Sequence, residues 1–154
     1  MHAQHVSLRI ESRDGKPRTE PVHVRPLPGG NYVLLHSPGF VQGIAAGDEF
    51  ALTDAEGSFE VIRRSGNLAI QIFSKEPIEP LLPTLSALAS RLGGVVDGNI
   101  SQGAVLTVPV AAGFSIVEAE LSAFVAQHPS CAWYYGNVYS PSDGITPIRW
   151  WMHV

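Results

Sequence analysis

Short runs of alternating apolar and polar residues occupy the first 65 positions of the chain and predict β-strands. An apolar residue at every second position gives a strand one buried face and one exposed face. The runs lie at residues 6–10, 22–24, 31–36, 48–53 and 58–64. Residues 54–57, between the last two runs, are typical of a tight hairpin. Five short strands with tight turns predict a small antiparallel half-barrel or curled sheet over residues 1–66, the first module.

The spacing of apolar residues changes after residue 67, where two segments follow a helical period. Apolar residues three and four positions apart predict helices over residues 80–92 and 115–127. Ser115 stands three residues before Glu118, the spacing of a capping box in which both side chains bond free amides of the first helical turn. Strands are predicted around these helices, at residues 68–73, 95–100, 104–110 and 132–139.

The order of these elements over residues 67–154, the second module, is the βαββαβ order of a ferredoxin-like unit. Both helices would then cover one face of a four-stranded antiparallel sheet, and Leu106, Val108 and Val110 would point toward them. The length of 154 residues fits one domain. The sequence therefore predicts an α+β protein in which the two modules pack as one compact domain.

Aromatic residues concentrate at the end of the chain, where six of the thirteen fall in the last 22 positions. In the last predicted strand, alternation places Trp133, Tyr135 and Tyr139 on one face and small residues such as Ala132 and Gly136 on the other. Small residues suit a face covered by helices, so the large rings are predicted on the opposite face. There they either seal the junction with the first module or form a partner surface, since Trp and Tyr dominate binding hot spots.

Charge is distributed unevenly between the two modules. Residues 1–75 carry eight basic and eight acidic side chains, whereas residues 76–154 carry two basic and six acidic ones, so the formal net charge of −4 lies in the second module. An acidic surface that includes Asp97 and Asp143 attracts a basic partner, or it only maintains solubility. The acidity argues against a nucleic acid as partner, because phosphates favour a basic surface.

The sequence predicts a cytoplasmic protein without a membrane partner. No apolar run approaches the roughly 18 residues of a membrane span, and the first residues lack the apolar segment of a signal peptide. The single cysteine, Cys131, cannot form an internal disulfide, which fits a reducing compartment. The oligomeric state is left open.

Sequence motifs give no support for catalysis, a cofactor or a metal site. The chain has no G-x-S-x-G, G-x-x-x-x-G-K-[ST] or G-x-G-x-x-G pattern. Its six histidines include no pair at the helical i, i+4 spacing, and no cysteine pair accompanies them. His23 and His36 could converge from neighbouring strands, and His2 and His5 share the N-terminus. No catalytic residue, cofactor or metal ligand is therefore predicted.

Residues 36–48 are the most constrained segment, because their glycines, a proline and an aspartate that leads into a strand impose a specific path. Such a segment could hold a ligand. A strand-to-strand crossover that buries Phe40 and Ile44 in the core explains the same residues more simply. We therefore predict a structural role for this segment.

The chain resembles a bacterial family known only as domain of unknown function 4265, whose members show an N-x-P-F-F run, a G-V-x-x-G-D-x-V run and a later S-G-H stretch. The matching residues are Pro38, Phe40, Gly43, Ile44, Gly47, Asp48, Ser65 and Gly66. The chain has His36, Gly39, Asn67 and His23 where the family favours Asn, Phe, His and Trp. The resemblance implies a shared fold and gives no catalytic residues to carry over.

The leading functional hypothesis is a non-catalytic protein-binding protein, in particular an immunity protein that neutralises a cognate bacterial toxin by direct binding. A basic toxin domain is the expected partner, and the candidate contact residues are Trp133, Tyr135, Tyr139, Trp150, Asp97 and Asp143. The alternative is small-ligand binding or catalysis in a cleft between the two modules. Its candidate polar groups are His23, His36, Asp48 and Asn67. RNA binding by stacking on the aromatic face is a third hypothesis, which the acidic charge disfavours.

Overall fold

The first half of the chain forms one antiparallel sheet. The structure, a computed structural model, describes residues 4–11 and 14–154. The strands are β1 (Gln4–Ile10), β2 (Arg18–Pro26), β3 (Tyr32–Leu34), β4 (Glu49–Leu52) and β5 (Phe59–Arg63). Their order in the sheet follows the sequence. The edge strands β1 and β5 do not pair with each other within the described residues, so the sheet is open rather than closed into a barrel.

The second half forms a four-stranded antiparallel sheet with two helices. The elements are β6 (Asn67–Ser74), α1 (Leu82–Arg91), β7 (Val95–Ile100), β8 (Gly103–Pro109), α2 (Phe114–Gln127) and β9 (Cys131–Tyr135). The strand order is β7-β8-β6-β9. Single 3-10 turns lie at Glu79–Leu81, Val110–Ala112 and Trp150–His153. The order of strands and helices along the chain is the predicted one, and the protein is of mixed α and β class.

Neither α1 nor α2 is long and apolar enough to cross a membrane, and the same holds for every other helix of residues 4–11 and 14–154.

Each sheet has its own apolar core. The core of the first sheet contains Leu8, Val22, Val24, Leu34, Val41, Ile44 and Phe50. The core between the second sheet and the helices includes Leu68, Ile70, Ile72, Leu85, Leu88, Leu106, Val108, Val117, Leu121 and Phe124. Burying one such side chain stabilises the fold by about 1.5–3 kcal/mol. These lists include Ile44, Leu106 and Val108, so the predicted burial of the three residues is confirmed.

The central strand β6 is buried on both faces, which explains why its sequence is almost continuously apolar. Leu68, Ile70 and Ile72 face the helices. Ala69 and Gln71 point to the opposite face and are buried as well. The second sheet is thus covered by helices on one face and by the first half of the chain on the other.

Trp133 and Tyr135 lie on the helix-covered face of β9, so the predicted orientation of this strand is wrong. They pair in register with the buried isoleucines of β6 and pack against the same core. The prediction assumed that small residues must face the helices. Instead Gly136 faces the first half of the chain, which approaches so closely that the Gly43 amide donates to the Gly136 carbonyl at 2.7 Å.

The last strand ends at Tyr135 rather than at residue 139. Beyond Gly136, the side chain of Asn137 takes the place of strand backbone in bonding β6. The buried Asn137 accepts a hydrogen bond from the Ala69 amide at 2.9 Å and donates one to the Asn67 carbonyl at 2.8 Å. The backbone of β6 is thus satisfied without a longer partner strand. Tyr139 lies beyond β9, in an isolated bridge with Pro147.

The predicted capping box at the start of α2 is also wrong. The helix begins at Phe114 after Gly113, and no side chain bonds the free amides of its first turn. Glu118 instead accepts a hydrogen bond from the Tyr135 hydroxyl at 2.9 Å. A glutamate at this spacing can either cap the helix or bond a neighbouring strand. In this protein Glu118 bonds Tyr135 of β9.

The first sheet curls so that the turn between β4 and β5 meets β1. The Arg9 amide donates to the Gly57 carbonyl at 2.9 Å. Gly57 has a φ of +92°, and a Cβ at this position would lie 2.5 Å from the Ser7 carbonyl oxygen. Glycine is required here both by the backbone conformation and by the close approach of the two chain segments.

We predict that Gly57→Ala lowers the free energy of unfolding by about 1–3 kcal/mol more than Gly29→Ala does. The two glycines share a left-handed backbone, but a Cβ at Gly29, where φ is +94°, would meet nothing within 4 Å. Gly29→Ala therefore isolates the backbone strain, and the difference measures the clash with β1. Urea denaturation of both variants gives the two energies, and equal losses would contradict the prediction.

Candidate functional site

The segment between β3 and β4, residues 35–48, passes between the two sheets, and we call it the crossover loop. Many of its residues are buried, among them Ser37, Val41, Ile44 and Asp48. Water does not reach the amides and carbonyls of a buried loop, so each needs a partner within the protein. The side chains that bond the crossover loop therefore determine its path between the two sheets.

Glu20 and Gln71 bond the middle of the crossover loop from its two sides. The Glu20 carboxylate, on β2, accepts hydrogen bonds from the amides of residues 39–41 at 2.8, 2.9 and 2.9 Å. The Gln71 side chain, on β6, donates to the carbonyls of Pro38 and Val41 at 3.3 and 3.2 Å. Neither residue was predicted as functional, since no local pattern in the sequence shows which side chains meet a distant loop.

Asp48 bonds the end of the crossover loop. Its carboxylate accepts hydrogen bonds from the Ala45 amide at 3.0 Å and from the Ser65 amide at 2.8 Å, and it lies 3.5 Å from the Arg64 guanidinium. Burial raises the pKa of Asp48 above its ordinary value of 3.8, although the bonds from Ser65 and Ala45 and the charge of Arg64 act in the opposite direction. Arg64 also donates to the Gly43 carbonyl at 2.8 Å.

Asn67 belongs to the same structural cluster, because its side chain donates to the Ala46 carbonyl at 2.8 Å. Between these residues lies Gly47, with a φ of +88°, where a Cβ would lie 2.7 Å from the Ser65 Cβ. Asp48 and Asn67, which the sequence suggested as cleft residues, thus bond the crossover loop itself.

A cavity of about 290 Å³, which we call the junction cavity, lies beside the crossover loop. His23 and His36 line it, with ring centroids 5.5 Å apart. The His5 ring lies against His23 at a centroid distance of 4.2 Å. The structure thus brings two of the four predicted cleft residues together, whereas Asp48 and Asn67 do not line this cavity.

Asp97 also lines the junction cavity, with a side chain that is only 7% exposed. The register of β7 shifts at this residue, and such a bulge redirects a side chain. The carboxylate accepts hydrogen bonds from the Ser37 amide at 2.8 Å and from the Thr107 hydroxyl, and lies 3.4 Å from His36 Nδ1. Asp97, suggested as a partner contact, is therefore an inward-facing residue.

A second concave region of about 980 Å³ extends around β9, and we call it the aromatic groove. Its aromatic lining residues are Phe40, Phe73, Trp133, Tyr134, Tyr135 and Tyr139. The structure thus brings together four of the six suggested partner contacts, namely Trp133, Tyr135, Tyr139 and Asp143.

Phe40, Phe73 and Tyr134 were not suggested for this groove. Phe40 is 42% exposed, so its predicted burial in the core is wrong. Its ring packs on Phe73, 6.1 Å away between centroids, and Phe73 packs on Tyr134 at 6.0 Å. The alternation in β9 correctly places Tyr134 on the opposite face from Trp133 and Tyr135. The sequence prediction was wrong about which of the two faces the helices cover.

The aromatic groove is electrically negative. Its carboxylates belong to Glu11, Glu118 and Asp143, and neither lysine nor arginine is among the lining residues that the structure describes. Hydrogen bonds from the Thr146 side chain and nearby amides lower the pKa of Asp143 to about 2. Burial and the nearby Glu118 raise the pKa of Tyr135. The tyrosine hydroxyl therefore stays protonated and donates to Glu118, while the carboxylate of Asp143 is ionised at neutral pH.

Trp150, the remaining suggested contact, lies in the second core and does not line the groove. It is 6% exposed, and its indole N–H donates to the Asn137 carbonyl at 2.8 Å. The Arg64 guanidinium lies 5.9 Å from the centre of its ring. Trp150 therefore connects the C-terminal segment to the cluster around Asp48.

Within residues 4–11 and 14–154, no group of three or more His, Cys, Asp or Glu side chains is arranged to hold a metal ion. His2 lies outside the described residues.

Comparison with known proteins identifies the family. The model of the family described as Domain of unknown function (DUF4265) matches residues 20–130. The chain belongs to this family. The DUF4265 chain is also similar to a solved structure described as "Novel crystal structure of a hypothetical protein from Neisseria gonorrhoeae", with a TM-score of 0.70 and 16% identity over 88% of this chain and 95% of that chain. This likeness shows the fold alone. Curated proteins give no match.

In this DUF4265 protein, the residues that carried the resemblance shape the crossover loop and its attachment. Asp48 and Ser65 bond the end of the loop to β5 and β6. The junction cavity is lined both by matching residues, Pro38 and Phe40, and by three of the positions at which the chain departs from the family pattern, His23, His36 and Gly39. The shared motif therefore holds the crossover loop and also contributes to the wall of the cavity.

We predict that Asp48→Asn changes the dependence of stability on pH. Because the pKa of Asp48 is higher in the folded protein than the ordinary value of 3.8, the folded state binds the proton more tightly than the unfolded state. The stability advantage of the wild type over Asp48→Asn should therefore fall as pH rises from below 3.8 through the raised folded pKa.

Asp54→Asn is the matched control with the opposite sign. Hydrogen bonds from Ser58 lower the pKa of the exposed Asp54, so the wild type should gain stability over this variant as pH rises toward 3.8. Urea denaturation of the three proteins between pH 3 and 7 measures both trends. Parallel curves for Asp48→Asn and the wild type would contradict the assignment.

Proposed function

We propose that the protein is a non-catalytic binding protein that holds a basic segment of a protein partner in the aromatic groove. The observation that carries this proposal is the composition of the groove, which combines six aromatic rings with three carboxylates. As the biological role, we propose an immunity protein that neutralises a cognate bacterial toxin.

Aromatic rings and carboxylates together favour lysine and arginine side chains. The ring faces attract a cation, by about 0.5–1 kcal/mol at exposed sites and more where water is excluded. The exposed Tyr134 and Tyr139 offer such faces, and Glu118 and Asp143 supply the opposite charge. An acidic or apolar segment would gain from the rings but not from the carboxylates.

Some acidic residues of the second half already bond other parts of the protein. This narrows the set of carboxylates that a basic partner could contact. Glu120 pairs with Arg91 at 2.8 Å, and Asp97 is held by the crossover loop. Glu118 and Asp143 line the groove and are not in an ion pair with any described residue, although Glu118 accepts a hydrogen bond from Tyr135 and Asp143 accepts hydrogen bonds from Ile145 and Thr146. A toxin that grips nucleic acid carries basic residues for the phosphates, and an acidic groove would both cover them and accelerate association.

The toxin role is tested with the product of the gene adjacent to that of this protein. We expect the two proteins to co-purify and the present protein to protect cells that express the other. The absence of both a complex and protection would remove the immunity proposal, while leaving open the binding of a basic segment.

Groove binding itself is tested with a synthetic eight-residue peptide of alternating lysine and threonine, and with its glutamate counterpart. We predict that Tyr134→Ala weakens binding of the lysine peptide at least about tenfold, or about 1.4 kcal/mol. Ile116→Ala is the control, because Ile116 is 59% exposed on α2 and does not line the groove. Isothermal titration at low and high salt measures the affinities.

Binding of the lysine peptide should weaken with salt, since exposed charges are screened. Equal affinity of Tyr134→Ala and Ile116→Ala, or equal binding of the glutamate peptide, would contradict the assignment of the groove.

A second candidate function is the binding of a small ligand in the junction cavity, with or without catalysis. It is favoured by the placement of His36 beside the buried Asp97 carboxylate. With Nδ1 of His36 donating to Asp97, Nε2 is left to accept a hydrogen bond from a ligand.

We predict that a small hydrogen-bond donor, found by a fragment screen, shifts the NMR signals of His23 and His36. His36→Ala should then weaken its binding about tenfold or more. Fragments that leave both histidine signals unchanged would contradict this candidate.

We also propose a finer description of the fold and a cellular location. The contact of Gly57 with β1 supports the term half-barrel for the first sheet, and the sheet order β7-β8-β6-β9 supports the term ferredoxin-like for the second. A boundary near residue 66 and a cytoplasmic location remain predictions from the sequence.

A further inference from the structure

The strand β9 lies at an edge of the second sheet, since it pairs with β6 and with no other strand of the described residues. An edge strand has backbone N–H and C=O groups on its free side that can pair with another chain. The aromatic groove is lined from both faces of this edge. Trp133 and Glu118 belong to the helix-covered face, and Tyr134 and Phe40 belong to the opposite face. The groove therefore wraps around the free edge of β9.

Two hydrogen bonds show which residues of β9 present their backbone at this edge. At one end the Lys75 amide donates to the Ser130 carbonyl at 3.0 Å, and at the other the Gly136 amide donates to the Ala69 carbonyl at 2.7 Å. Antiparallel strands alternate residues that bond their partner with residues that do not. Residues 130, 132, 134 and 136 therefore bond toward β6.

Trp133 and Tyr135 consequently direct their backbone N–H and C=O groups away from β6. Among the described residues, neither amide bonds a turn, loop or cap, and the pairing register directs both away from β6. Two donors and their carbonyls thus lie free along the groove, at the spacing of two residues that a pairing strand requires.

We propose that the free edge of β9 binds an extended basic segment of the partner as an added β-strand. This inference rests on the proposed function and specifies how the segment is held. Backbone hydrogen bonds to Trp133 and Tyr135 supply the pairing, and side chains set which segment is preferred. Alternate side chains of the segment lie near Glu118 on the helix-covered face and near Tyr134 on the opposite face.

Charge complementarity selects a lysine- or arginine-bearing strand over a second copy of this chain. Two copies paired through β9 would bring the Glu118 and Asp143 carboxylates of both molecules close together. Like charges placed opposite one another destabilise a strand pair. A basic segment places opposite charges at the same positions.

The strand-addition step is tested with the lysine and threonine peptide and a form of it N-methylated at two adjacent central residues. Adjacent residues of a strand point their amides to opposite edges, so the methylated peptide keeps its charge and loses the central pairing donors of both edges. We expect the methylated peptide to bind at least about tenfold more weakly.

The variants Trp133→Pro and Trp133→Ala separate the backbone donor from the side chain. Both remove the indole, and only proline also removes the outward N–H, which an edge strand tolerates. With circular dichroism showing that both fold, Trp133→Pro should bind the peptide at least about tenfold more weakly than Trp133→Ala. Equal affinities would overturn strand addition.

Amide hydrogen exchange of the wild-type protein supplies a measurement that needs no variant. Saturation with the lysine peptide should slow exchange of the Trp133 and Tyr135 amides at least about tenfold. The Ala132 and Tyr134 amides, already bonded to β6, should change little.

The outcomes distinguish this inference from the proposed function. Binding that is equal for the methylated peptide, without protection of Trp133 and Tyr135, would overturn strand addition and retain the basic-segment site. No binding of the lysine peptide at millimolar concentration would contradict both. A dimer of the free protein with these amides already protected would assign the edge to a second copy.

Discussion

Burial of the crossover loop is possible because side chains from both halves of the chain satisfy its backbone. Glu20 accepts three consecutive amides, Gln71 donates to two carbonyls, and Asp48 and Asp97 bond the two ends. A buried polar group without a partner costs about 1–3 kcal/mol. The positions of the junction cavity and the aromatic groove depend on this arrangement.

The same constraint divides the acidic residues into two sets with different roles. Glu20, Asp48 and Asp97 bond backbone amides of the crossover loop, and their charge is turned toward the protein. Glu118 and Asp143 lie beside aromatic rings in the groove. The net charge of −4 therefore does not describe a uniform acidic face. The acidic residues that could contact a partner are Glu118 and Asp143, which lie near the free edge of β9.

Periodic patterns predicted the elements well and their surroundings poorly. The strands of the first half, the order of the second, and the burial of Leu106 and Val108 follow from local spacing. The orientation of β9 was predicted wrongly because alternation defines two faces without showing what covers each one. Phe40 was assigned to the core because it is apolar, yet its ring lies at the rim of the groove.

The sequence by itself determined the element order, the family and the acidic excess of the second half, because each depends on residues close together in the chain or on simple counts. Only the tertiary structure decided that His23 meets His36 and that Asp97 turns inward. It also decided that Tyr134 joins Phe40 and Phe73. These contacts join residues far apart in the chain, and packing between the sheets and the crossover loop selects them.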